Sequence, residues 1–272
     1  MSENGERQWQ GTTDGTSWMH RSLIGMMKVI PLWFFYLMMS LAIPFYVMFN
    51  HEGYISNYHY FRRRHGFGPL KSFLHVFACH WMFGTVIMDR FASYSGKKFK
   101  VDVPQMSMYE ELCAGKSGFL QLGSHIGNDE LAGYELRPPK KMSALVFGGE
   151  GEALTENRER ILGGNNVRLV NISGDMSHLV ILNNALADGE IVNIHGDRVF
   201  GSNRTVCCEI LGADAELPLG PFLLASMRNV PAVSVFVMKA GLRKYRVRLY
   251  RLDKGLEDLG VREKAVAMAK AY

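Results

Sequence analysis

The sequence predicts an α/β fold, with a mostly parallel central sheet flanked by helices and hydrophobic, membrane-associated helices ahead of it. Three observations carry this expectation. The 272 residues are 47% hydrophobic and 21% charged, which is enough to bury a sizeable core and too apolar for a disordered chain. Basic charge gathers at one end: residues 1–100 hold 11 Lys and Arg against 5 Asp and Glu, whereas residues 101–272 hold 20 against 21. From residue 118 onward, short apolar runs recur about every 24 residues with helix-sized segments between them. Strands joined by such crossovers form parallel sheets covered on both faces. A uniformly basic nucleic-acid binder would not segregate its charge this way, so no nucleic-acid partner is expected. Four cysteines are too few for a disulfide scaffold.

Residues 1–22 form a polar segment without the early apolar stretch of a secretory leader. Residues 23–100 read as a membrane-anchoring helical region. Within it, residues 29–49 run for 21 positions without a charge. At about 1.5 Å per residue, that length crosses a hydrocarbon layer of about 30 Å. Trp33, Phe34, Phe35, Tyr36, Phe45 and Tyr46 lie towards its ends, where aromatic belts form. A single pass and a half-immersed helix both stay open, and a buried core helix is the soluble alternative. The second apolar stretch, 73–88, is 16 residues, which is short for a span and suits an interfacial or core-packed helix. Arg62, Arg63 and Arg64 suit anionic headgroups, at roughly 1 kcal/mol each, or form a solvated charge run. Basic residues beyond the first run lean towards a cytoplasmic position for the chain on its C-terminal side. His75, Cys79 and His80 lack the spacing of a ligand set, and no metal or other cofactor is expected.

Residues 101–272 read as one α/β catalytic domain. The candidate strands are 118–122 (GFLQL), 143–147 (SALVF), 167–172 (VRLVNI), Ile191–His195, 205–211 (TVCCEIL), 231–238 (PAVSVFVM) and 245–251 (YRVRLYR). Helical patterns cover 153–162 and 178–187, the latter with Ser177 as N-cap and Gly189 at its end. Cys207 and Cys208 are neighbours in a strand pattern, point to opposite faces and cannot form an ordinary disulfide, which fits a reducing compartment. The glycines of 148–151 lack the lysine and spacing of a phosphate loop and read as a turn.

The segment 123–130 (GSHIGNDE) carries the chemistry. It lies directly after the first strand and leads into a helical pattern, and sites form at the carboxyl ends of strands in open α/β sheets. His125 projects from the strand-to-helix turn, Gly127 permits the turn and Asn128 can cap the helix. Glu130 lies in the first helical turn and can fold back on the imidazole. A carboxylate on one ring nitrogen fixes the tautomer and leaves the other nitrogen to take a proton, as in a dyad that activates a hydroxyl. The bland alternative is a strand-end histidine in ordinary hydrogen bonds. A serine nucleophile at Ser124 competes, although no Gly-x-Ser-x-Gly elbow is present.

The block His125-Ile126-Gly127-Asn128-Asp129-Glu130 resembles the His-x-Gly-Asn-Trp-Glu block of the lipid A late acyltransferases. These belong to a wider lysophospholipid acyltransferase-like group whose signature is His, four residues, then Asp or Glu. Gly196-Asp197-Arg198 and the stretch 211–221 resemble later blocks of the same family. The resemblance covers about residues 20–250. It implies transfer of a fatty acyl group from acyl carrier protein or acyl-CoA to a lipid hydroxyl at the cytoplasmic face of a bacterial inner membrane. It makes His125 the general base and Glu130 its orienting partner. Asn128, Asp129, Asp197, Arg198 and Arg204 become candidates for supporting the site, binding the donor or stabilising the oxyanion. Leu217, Leu219 and Phe222 can line an acyl pocket or belong to the core. His195 reads as a hydrogen-bonded strand-end residue, with a second base as the alternative. Arg246 and Arg248 share a strand face that can meet an acidic carrier protein or solvent. Two departures stand out. Asp129 replaces the usual Trp, and the chain ends at Tyr272 where relatives run on, so a shortened C-terminus is expected. A thioesterase or lipid hydrolase, and a non-catalytic lipid-binding protein, are the alternative functions.

Overall fold

A computed structural model describes residues 16–136, 138–146, 156, 166–172, 175–199 and 204–272. The turn expected at 148–151 lies outside the described residues, as does the helix at 153–162 apart from Glu156.

Four helices come first: α1 (Ser17–Val29), α2 (Leu32–Phe49), α3 (His51–Arg63) and α4 (Pro69–Tyr94). The uncharged run at 29–49 is therefore not one helix. Ile30 and Pro31 are extended, because a residue before proline is driven out of the helical region. α1 begins inside the polar segment, with the Thr16 side chain accepting from the Met19 N–H. The second apolar stretch is a larger element than its composition suggested. Helix continues on both sides of 73–88, from Pro69 at the first turn to Tyr94, giving 26 residues. α2 and α4 are both long and apolar enough to cross a membrane. They pack together, with Trp81 Nε1 donating to Ser40 Oγ at 2.8 Å. Ile43, Val47 and Val76 are buried between the helices, while Trp33, Leu41, Phe45, Phe49, Leu74 and Phe83 stay exposed.

The rest of the described chain is β1 (Lys100–Asp102), α5 (Met106–Ala114), β2 (Phe119–Gly127), α6 (Glu130–Glu135), β3 (Met142–Val146), β4 (Val167–Asn171), α7 (Ser177–Ala187), β5 (Ile191–His195), β6 (Thr205–Ile210), β7 (Ala213–Pro218), α8 (Gly220–Arg228), β8 (Ala232–Gly241), β9 (Lys244–Arg251) and α9 (Val261–Ala271). Seven strands form one sheet in the order β1-β9-β8-β2-β5-β3-β4. Only the β8–β9 pair is antiparallel. β6 and β7 make a separate antiparallel hairpin, which separates Cys207 (exposed) from Cys208 (buried) as strand alternation requires. Ser177 opens α7 from within, because Met176 at its N-cap takes a left-handed backbone.

Two cores sandwich the sheet. One buries α1, the end of α4, α5 and α6 against Phe119, Ile191, Val235, Tyr245 and Val247. The other buries α7, α8 and α9 against Leu120, Leu122, Val192 and Ile194. The apolar helices thus join the sheet on the first face. A buried polar knot ties them there: Tyr36 of α2, Lys239 of β8 and Tyr245 of β9 all hydrogen-bond to Asp89 of α4. Asp89 is 0% exposed and Lys239 4%, so each charge relies on the other.

Candidate active site

β2 and β5 are adjacent and parallel, with Gly123 opposite His195. Their onward connections leave in opposite directions, β2 towards β3 and β5 towards β8, which opens a crevice at the carboxyl ends of the strands. His125 sits at this end of β2 and His195 is the last residue of β5. β2 ends at Gly127, whose φ is +70°. A Cβ there would stand 1.8 Å from the Val237 carbonyl oxygen, so glycine alone fits both the turn and the approach to β8. The Asn128 N–H donates to that same carbonyl at 3.1 Å. Asn128 is buried beneath the turn, and its side chain does not cap α6.

Asp197, two residues past β5, grips His125 at two points. His125 Nδ1 lies 2.8 Å from Oδ1, and the His125 backbone N–H donates to Oδ2 at 2.7 Å. An ionised carboxylate only accepts, so Nδ1 carries the proton and Nε2 presents the lone pair. Among the described residues no hydrogen bond is made to Nε2. Burial works against the Asp197 charge, but the hydrogen bonds from His125 and the nearby imidazoles outweigh it and hold its pKa below the ordinary value.

The carboxylate at His125 is therefore Asp197, which corrects the expectation of Glu130 in that place. Once the chain has turned at Gly127, α6 carries Glu130 towards α4. There it forms an ion pair with Arg90 and accepts from the Tyr94 hydroxyl at 2.5 Å. Arg90 and Tyr94 were missed in the sequence. The one available signal was the Asp89-Arg90 pair closing an otherwise apolar run.

A second pair mirrors the first. His195 Nε2 lies 2.9 Å from Asp129 Oδ2, and the His125 and His195 rings stand 4.5 Å apart, inclined at 33°. Each histidine thus takes its carboxylate from the loop that extends the other's strand. Burial opposes the charge on Asp129, but the His195 hydrogen bond and the charges of His195, Arg90 and His125 hold its pKa down at about 2. At His195 burial again opposes charge, and the hydrogen bond and charge of Asp129, with Asp197, raise the pKa above the ordinary histidine value. Arg198 is exposed, and its charge opposes that rise.

Below the histidines lies a cavity of about 210 Å³. Arg90, His125, Asp129, Glu130 and His195 are its charged and titratable lining, and Gln121 and Asn193 its amides. Its apolar walls include Met142, Ala144, Val146, Val167, Leu169, Val235 and Val237. Leu217, Leu219 and Phe222 are buried in the core on the other face of the sheet. Of the two readings open for them, the structure gives the core, and the apolar pocket is built by β3, β4 and β8 instead. Arg204 does not line the cavity; its carbonyl accepts from the Leu219 N–H just before β6. Ser124 is 2% exposed and points away from His125 by strand alternation, so the imidazole does not activate it. Gly196 lets the Tyr272 ring approach, and the Tyr272 hydroxyl donates to the Gly123 carbonyl at 2.6 Å, bracing the strand ends from behind. No group of three or more potential metal ligands occurs among the described residues.

Comparison with protein-family models gives no match, and comparison with curated proteins gives none either.

Proposed function

We propose that this chain is a membrane-associated acyltransferase. It moves a fatty acyl group from an acyl thioester, on acyl carrier protein or coenzyme A, to a hydroxyl of a bacterial lipid A-type glycolipid or an aminolipid. One observation carries the reading: a histidine with its Nδ1 held by Asp197 and its Nε2 open stands at the mouth of a cavity with mainly apolar walls. The open nitrogen is arranged to remove a hydroxyl proton, and the walls offer an acyl chain a dry place. In this mechanism the acceptor oxygen attacks the thioester carbonyl as His125 takes its proton, and Arg90 at the cavity lining favours the oxyanion that forms. Glu130 is a positioning residue, because it fixes Arg90 and Tyr94. The exposed apolar surface of α2 and α4 and the basic excess of the first hundred residues support a site working at a bacterial inner membrane, on its cytoplasmic face.

Transfer of a radiolabelled acyl chain from acyl carrier protein to inner-membrane lipid tests the proposal. His125→Ala and Asp197→Asn should each lower the rate by about 10²–10⁴-fold. Near wild-type transfer by His125→Ala would exclude the mechanism.

A further inference from the structure

The site holds two histidine–carboxylate pairs, and abstraction of the acceptor proton uses one. His195 and Asp129 form the second pair at 2.9 Å, and both line the same cavity as His125. Asp129 occupies Nε2, which leaves the other ring nitrogen of His195 for chemistry. The imidazole keeps about a quarter of its side-chain surface exposed and lines the cavity. The exchange of carboxylates between the two loops places the rings 4.5 Å apart on neighbouring strands, close enough to serve the two ends of one reacting group.

We propose that His195 is the general acid of the reaction, giving its Nδ1 proton to the sulfur that leaves. This inference rests on the acyl-transfer reading and extends it. The acceptor oxygen bonds to the carbonyl carbon and its proton passes to Nε2 of His125. The carbon–sulfur bond breaks, sulfur keeps the electron pair, and His195 supplies the proton that makes it a thiol. Ester and thiol are the products, His125 is left charged and His195 neutral, and one proton exchanged through solvent restores both. Burial, Asp129 from the β2–α6 turn, and Asp197 and Arg198 from the loop after β5 act on the charge of His195, and His125 from β2, Arg90 from α4 and Glu130 from α6 are the other charged and titratable groups lining the cavity. The raised affinity of His195 for its proton agrees with the role of an acid.

The test compares two donors with the full chain in detergent. One is a fatty acyl pantetheine thioester, whose alkyl thiolate is basic; the other is the S-phenyl thioester of the same acid, whose thiolate leaves without a proton. Total inner-membrane lipid is the acceptor pool. His195→Gln should lose about 10²-fold with the pantetheine donor and less than about fivefold with the phenyl donor. With the pantetheine donor the wild-type rate should fall on the alkaline side, and His195→Gln should lack that limb while keeping the acid limb. Asp129→Asn keeps the side-chain shape and should move the alkaline limb to lower pH. Equal losses on both donors would show that His195 only shapes the site or favours the oxyanion, and would overturn the inference. So would an unchanged rate with the pantetheine donor. Failure of the wild type to transfer from either donor would remove the acyl-transfer reading itself, and this inference with it.

Discussion

Asp129 and His195 are half-buried, and each is the other's charged partner. The pair gives stability a defined pH window. Asp129 is held at about 2, so its contribution is complete above the ordinary aspartate value of about 4 and is lost as the pH falls towards 2. His195 is raised, so its contribution is complete below about 6.5 and is lost as the pH climbs through the folded-state value. Asp129→Asn should therefore cost most stability between about pH 4 and 6.5 and less on either side. Thermal unfolding of both proteins across pH 3–9 checks this, and a difference that stays constant with pH would refute it. Glu130 teaches a related lesson. Its spacing from His125 was legible, but its partners were not, because Arg90 and Tyr94 come from a helix 40 and 36 residues away in sequence.

At the scale of elements, the β2–α6 corner depends on one glycine. Ala at Gly127 meets a left-handed backbone, at about 1–2 kcal/mol, as well as the Val237 carbonyl. Gly127→Ala should lower unfolding stability by at least about 2 kcal/mol and loosen the β2–β8 contact, as denaturant titration and amide exchange at residues 235–238 would report. Tolerance without cost would mean that β2 ends differently. The strands of the parallel sheet were legible because they are buried on both faces and read as short apolar runs between helix-sized gaps. Residues 231–238 and 245–251 were equally clear, but their direction was not, because nothing short of the tight turn at Gly241–Lys244 sets them antiparallel. β1 has only three residues and no apolar run to betray it. The true length of α4 was hidden by its polar ends: Lys71, Asp89 and Arg90 interrupt hydropathy without interrupting helix. The apolar stretch 217–224 gave no sign of which sheet face it would serve, and packing put it opposite the histidines.

At the scale of the whole molecule, exposed large apolar side chains are most frequent, among the described residues, in the first hundred. Arg62, Arg63 and Arg64 are exposed where α3 gives way to α4, close to the exposed Leu70 and Leu74. Under the proposed membrane association, replacing the three arginines by glutamine should weaken binding to vesicles containing phosphatidylglycerol by up to about 10²-fold at low salt and hardly alter binding to neutral vesicles. Vesicle flotation would show it, and equal loss on both compositions would count against a headgroup role. The continuity of α4 has a mechanical consequence. It is one rod of about 39 Å, its apolar stretch exposed along one part and its last two turns fastened to Asp89's partners and to Glu130. Leaning such a rod by about 10° about Asp89, roughly 30 Å from Pro69, would move its other end by about 5 Å. Under the proposed membrane association, a load on the apolar part of α4 would reach the Arg90–Glu130 contact through one unbroken helix.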